Sequence, residues 1–108
     1  MRHSTYDCNK GCPVEATLEK IGGKWKGIIL YHLLERTYRF GELRRTMPGI
    51  TQNMLTKQLR ELEGDGLIQR KVYAEVPPKV EYSVTETGES LREIIMKMRD
   101  WGKQHFGL

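Results

Sequence analysis

Apolar residues recur at helical spacing in five stretches of this chain, and alternate with polar ones in a sixth. Val14, Leu18 and Ile21 fall at i, i+4 and i+7, one face of a short helix that Pro13 opens and Gly22-Gly23 closes. From about Lys24 to Arg36, Trp25, Ile29 and Leu33 share a face that Ile28, Leu30 and Leu34 widen. So broad a stripe predicts the most buried helix. Tyr38-Arg39-Phe40 reads as a short extended link. Phe40, Leu43 and Met47 then mark a third helix, closed by Pro48-Gly49. Thr51 suits the N-cap of a fourth, its hydroxyl accepting from a free N–H of the first turn. Leu55, Leu59 and Leu62 form its buried face, and Gly66 supplies a left-handed stop.

Two β-like runs follow, Leu67–Val76 and Lys79–Val84, folded over Pro77-Pro78. In the second, Val80, Tyr82 and Val84 alternate with Glu81 and Ser83, as a sheet with one wet face requires. Thr85 is placed to cap a last long helix over residues 86–106, with Leu91, Ile94, Ile95, Met98 and Trp101 on one side. Helix, turn, helix and hairpin in this order predict a mainly α fold with a small β-hairpin, the layout of a winged helix-turn-helix. The recognition helix covers about residues 51–65 and the wing about 67–84. Residues 1–11 lack periodicity and read as a flexible arm, leaving 12–108 as a single domain.

Composition bounds this picture without changing it. The 108 residues suffice for one modest core, and the formal net charge of +4 permits nucleic-acid binding without demanding it. No apolar run approaches the roughly 20 residues of a membrane helix. The first residues lack the apolar centre of a secretion signal, so a cytoplasmic location is expected. Cys8 and Cys12 are accordingly expected to be thiols.

With Leu55, Leu59 and Leu62 facing inward, the opposite side of the fourth helix presents Asn53, Thr56, Lys57 and Arg60. Thr51 and Gln52 stand in its first turn, where recognition helices meet base edges. Asn and Gln bridge adenine N6 and N7, Arg and Lys donate to guanine O6 and N7, and a Thr methyl touches thymine. Any exposed helix face is polar; position after a tight turn and before a hairpin is what favours DNA. Glu61, Glu63 and Asp65 gather at the other end, which phosphate repels, so entry by the N-terminal end is expected. Arg44 and Arg45 on the third helix are candidates for backbone contacts, favoured over Arg39. Arg70, Lys71 and Lys79 on the hairpin are candidates for phosphate or minor groove.

Taken together, several motifs resemble the HxlR-type regulators. They are Cys12-Pro13-Val14, Gly23-Lys24-Trp25, Arg39-Phe40 with Glu42-Leu43, and Leu59-Arg60-Glu61-Leu62-Glu63 with Asp65-Gly66-Leu67-Ile68. Pro77-Pro78, Val80-Glu81-Tyr82-Ser83, Thr85-Glu86 and Gly88 complete the pattern, which runs from Cys12 to Trp101. The resemblance implies a homodimeric transcription regulator, a repressor by the family's habit, pairing through N- and C-terminal dimerisation helices. Val14 and Leu18 on the first helix would then meet a partner, together with Leu91, Ile95, Met98 and Trp101 on the last. The last helix supports this independently, since Met and Trp are enriched at association surfaces. Two recognition helices about 34 Å apart would read a palindromic operator. Cys12 precedes a helix N-terminus, where the dipole favours a thiolate. In some family members the cysteine in this place senses electrophiles or oxidants, so Cys12 is the candidate sensor, and Cys8 a resolving partner or incidental.

Other classes are weaker. His3, His32 and His105 are scattered, and no phosphate loop, paired-carboxylate or nucleophile motif appears, so no enzyme and no cofactor are expected. Zinc on His3, Cys8 and Cys12 lacks a second paired cluster. Small-molecule sensing near Trp25 or Trp101 stays open as an alternative, although one aromatic per site does not make a pocket. The remaining alternative is a winged-helix protein-interaction module, which salt-dependent binding to duplex DNA would separate from a regulator.

Overall fold

The computed structural model describes residues 11–108, so the arm with His3 and Cys8 lies outside the described residues. The elements are α1 (Pro13–Ile21), α2 (Lys26–Glu35), β1 (Tyr38–Arg39), α3 (Phe40–Arg45), α4 (Gln52–Gly64), β2 (Ile68–Tyr73), β3 (Lys79–Val84), α5 (Glu86–Glu89) and α6 (Arg92–Phe106). Ile29, Leu30, Leu43, Leu55, Leu59, Leu62 and Ile68 are fully buried and join the helices to the sheet in one core. Burying each such side chain contributes about 1.5–3 kcal/mol relative to leaving it in water. α2 supplies Ile29, Leu30, Leu33 and Leu34 to that core, as its broad stripe predicts. The helix itself starts only at Lys26, after Trp25 in the N-cap position.

The extended link is a strand. β1 pairs antiparallel with β3, Tyr38 opposite Tyr82 and Arg39 opposite Glu81, giving a three-stranded sheet in the order β1-β3-β2. Two residues are too few to show a period, and Tyr38 is placed by burial, with the Arg36 guanidinium 3.8 Å above its ring. The expected wet face is not seen in β3, whose six residues are all half-buried. Glu81 is met by Lys79 at 3.5 Å, and the Ser83 hydroxyl accepts from Gln69 Nε2 at 3.3 Å. β2 is shorter than the apolar run that predicted it, ending at Tyr73.

The single last helix is two. Thr85 caps α5, its Oγ1 accepting from the Gly88 N–H at 3.1 Å while donating to the Gly66 carbonyl at 2.6 Å. Gly88 is buried against the backbone of Leu67, where a Cβ would stand 2.0 Å from the carbonyl oxygen. That close approach holds α5 against the start of the wing, and the chain turns at Ser90-Leu91 before α6 begins. Arg92 pins the new direction by donating from Nη2 to the Leu34 carbonyl at the end of α2, at 2.8 Å.

Candidate nucleic-acid interface

α3 and α4 are joined by a turn that the local sequence dictates. α3 ends at Arg45, and Met47, expected on the helix, is buried just beyond it because Pro48 cannot continue the ladder. Gly49 takes φ 91°, a left-handed conformation that lets the chain reverse, and the Ile50 N–H closes the turn on the Met47 carbonyl at 3.2 Å. Ile50 is buried, so the turn is anchored as well as bent. Thr51 Oγ1 then accepts from the Met54 N–H at 3.0 Å and starts α4. At the far end, Gly66 at φ 75° and the Leu67 N–H on the Leu62 carbonyl at 3.0 Å form a Schellman closure.

The two long sides of α4 are chemically separate. Gln52, Asn53, Lys57 and Arg60 are exposed on the front with Thr51 beside them, and Thr56 is half-buried, its hydroxyl donating to the Gln52 carbonyl at 2.9 Å. The first turn contains no acid. The carboxylates toward its C-terminal end are each met by a cation from a different element. Lys26 of α2 reaches Glu61 at 2.7 Å, Lys20 of α1 reaches Asp65 at 3.1 Å, and Arg70 of β2 approaches Glu63 at 4.0 Å. The Lys26 hydrogen bond holds the Glu61 carboxyl below its usual range. Among the described residues, Lys57, Arg60, Arg44, Arg45 and Lys71 have no carboxylate within 4.0 Å. None of the five is spent on a close ion pair, and Lys57 and Arg45 act on Glu61 and Glu42 only at longer range.

Arg44 and Arg45 are exposed on α3 and flank an open depression of about 530 Å³ over the turn, floored by Met47, Pro48 and Ile50. The wing is more internally committed than its sequence indicates. Lys71 and Lys79 sit on the ring of Tyr73, each 4.8 Å from its centroid, and Lys79 also pairs with Glu81 at 3.5 Å. Glu81 is held below the usual carboxylate range by a hydrogen bond from Tyr73, with Lys79 and Arg39 adding to it. Of the three wing cations, only Lys71 therefore combines exposure with freedom from a carboxylate. The α4 front and the wing meet at Tyr82, whose phenol is pushed up by burial while the charges of Arg70, Glu63 and Arg60 act on it.

A second surface lies on α1 and α6. Val14 (55% exposed) and Leu18 (57%) face outward on α1, and Met98 (52%) and Trp101 (58%) do so on α6. Leu91 is half-buried against the core. Ile95, expected on the outer stripe, is 4% exposed and belongs to the core. The stripe is thus divided along α6, with Ile95 in the core and Met98 and Trp101 exposed. Trp101 stacks on His105 at 4.2 Å and meets Phe106 edge-on at 5.9 Å. Cys12 is half-buried in the N-cap position of α1, with Sγ accepting from the Glu15 N–H at 3.5 Å.

Sequence reasoning missed the clamps on the C-terminal half of α4. Lys20 and Lys26 lie 45 and 35 positions from their partners, and nothing local couples them. The contact of Lys79 with the Tyr73 ring was closer to reach, since the hairpin register sets Tyr73 opposite Lys79. Among the described residues, no helix is long and apolar enough to cross a membrane.

Known proteins share this whole arrangement. A family model described as HxlR-like helix-turn-helix matches residues 20–107. The uncharacterized HTH-type transcriptional regulator YybR of Bacillus subtilis (strain 168) is 55% identical over 104 residues, covering 96% of this chain and 83% of that protein. The structure of the redox regulator HypR in its oxidized form superposes with a TM-score of 0.85 at 58% identity, covering 87% of this chain and 97% of that one. The reduced form of the transcriptional regulator YodB from B. subtilis superposes with a TM-score of 0.75 at 37% identity, covering 87% and 93%. The chain thus belongs to the HxlR-like helix-turn-helix family, and it is a transcriptional regulator of winged helix-turn-helix type rather than an enzyme.

Proposed function

We propose that this regulator acts in the cytoplasm as a homodimeric repressor, occluding a promoter by binding a palindromic operator. The observation that carries the reading is the sorting of charge on α4. Gln52, Asn53, Lys57 and Arg60 are exposed and outside any close ion pair, while Glu61, Glu63 and Asp65, toward the other end of the helix, are each met by a cation. The N-terminal end of α4 enters the major groove, Arg44 and Arg45 grip the flanking backbone, and Lys71 leads the contacts of the wing. The exposed apolar stripes of α1 and α6 support pairing of two copies through Val14, Leu18, Met98 and Trp101, with Leu91 at the margin. Fluorescence anisotropy on the protein's own upstream DNA tests this. The intact palindrome binds two chains together, and an isolated half-site binds far more weakly. One chain bound tightly to one half-site would overturn the reading.

The input to this regulator is Cys12. Its thiol stands at the positive end of α1, which favours the reactive thiolate. Likeness to HypR, described as a redox regulator, favours the same class of signal. An electrophile or oxidant is expected to weaken operator binding, and Cys12→Ser to remove that response. Equal loss of binding in the Ser variant would take Cys12 out of the mechanism.

A further inference from the structure

We propose that the groove between α2 and α6 binds a small organic anion with an apolar body, an aryl or alkyl carboxylate. The groove has a volume of about 350 Å³, within the range of small-molecule sites. Its walls are apolar, formed by Ile28 of α2 and by Ile95 and Met98 of α6, Met98 being a residue that also stands on the face proposed to meet a second copy. Gly23 and Gly27 leave backbone open on the α2 side, with no side chain to fill the space.

The polar groups converging on this apolar floor are Lys24, Tyr31 and Arg99. No carboxylate lines the groove. The Lys24 ammonium lies 4.7 Å from the Trp25 ring centroid and has no carboxylate within 4.0 Å among the described residues. Arg99 spends Nε and Nη2 on a single oxygen of Asp100, at 3.0 and 2.9 Å, and a hydrogen bond with Tyr31 helps hold its charge. Its other terminal nitrogen keeps donors to spare, since a guanidinium carries five. The Lys24 charge, with the spare Arg99 donors and the Tyr31 phenol, above an apolar floor matches a carboxylate head joined to a hydrocarbon body. A neutral apolar molecule would leave Lys24 unused, and a small inorganic anion would leave the floor wet.

This inference goes beyond the DNA-binding reading and does not rest on it, because the test contains no DNA. Isothermal titration of the full chain uses benzoate as probe, with benzamide (same shape, no charge) and acetate (same charge, no body) as controls. Benzoate is expected to saturate at one per chain, with both controls at least roughly ten-fold weaker. Lys24→Gln should weaken benzoate by roughly ten-fold. Gly27→Leu should abolish binding by filling the groove. The backbone accepts that change, since a Cβ at Gly27 meets only the Ile21 carbonyl oxygen at 3.5 Å. A melting curve checks that this variant is folded. Acetate binding as well as benzoate would reveal an adventitious ion only. Benzoate affinity unchanged in both variants would place the anion elsewhere. Either result overturns the proposal, as does binding that fades as the chain is concentrated, which would assign the groove to a second copy.

Discussion

Lys57 and Lys26 form a matched pair for testing how α4 meets DNA. Both are lysines on or against the same helix, and each alanine variant lowers the net charge by the same amount. They differ in commitment. Lys57 is exposed with no carboxylate within 4.0 Å among the described residues, whereas Lys26 keeps a side chain only 14% exposed and holds Glu61 at 2.7 Å. A phosphate contact releases counterions, so each lost contact should flatten the dependence of log affinity on log salt by about 0.9. A dimer carries Lys57 twice, and Lys57→Ala should flatten that slope by about 1.8. Raising salt from about 50 to about 200 mM would then cost the parent protein roughly twelve-fold more affinity than the variant. Lys26→Ala should leave the slope alone, because Lys26 is spent on Glu61 and makes no phosphate contact to lose. Its effect should instead be a lower thermal midpoint. Anisotropy titrations across salt, with a melt of each variant, measure both quantities. Equal slopes for parent and Lys57→Ala would refute the docking. Equal flattening by both variants would show that net charge alone was being read.

Gly88→Ala forces a Cβ to 2.0 Å from the Leu67 carbonyl oxygen, a backbone atom that cannot swing aside. The expected cost of about 1–3 kcal/mol lowers the melting temperature by about 4–8 °C for each kcal/mol. A melt within a degree of the parent would contradict the packing described. Thr51→Ala deletes the hydroxyl that caps α4, which should cost about 1 kcal/mol in denaturant unfolding, and Thr51→Ser should restore it. Acid should destabilise the fold in two stages. Burial lowers the His32 pKa from its ordinary 6.5, so the unfolded chain takes up the proton first and stability begins to fall as pH drops below that value. Glu42, Glu61, Glu81 and Glu89 are held below their ordinary 4.5, so a second loss begins as pH drops through it. His32→Gln should remove the first stage in melts taken across pH; an unchanged profile would deny His32 that role.

Much of this was legible in the chain because the decisive signals were local. Thr51, Gly49 and Gly66 act through backbone groups a few positions away, and the Leu55, Leu59 and Leu62 face needs only helical geometry. The front of α4 followed as the opposite side of that face. What was hidden depended on distant partners. β1 exists because β3 offers it an edge more than 40 positions later. The break between α5 and α6 depends on the Leu67 backbone under Gly88, and Ile95, assigned to the surface, lies in the core. The commitment of Lys79 and Arg70 was similarly invisible until the hairpin register and the approach of Glu63 were known.

The three clamps on the C-terminal half of α4 have an evolutionary consequence. Lys20, Lys26 and Arg70 meet the helix from α1, α2 and β2 through Asp65, Glu61 and Glu63, and so use none of Gln52, Asn53, Lys57 or Arg60. Replacing any of these four therefore breaks none of the three clamps. Such a regulator can change which sequence it prefers one exposed side chain at a time, while the angle at which the helix is offered to DNA stays inherited.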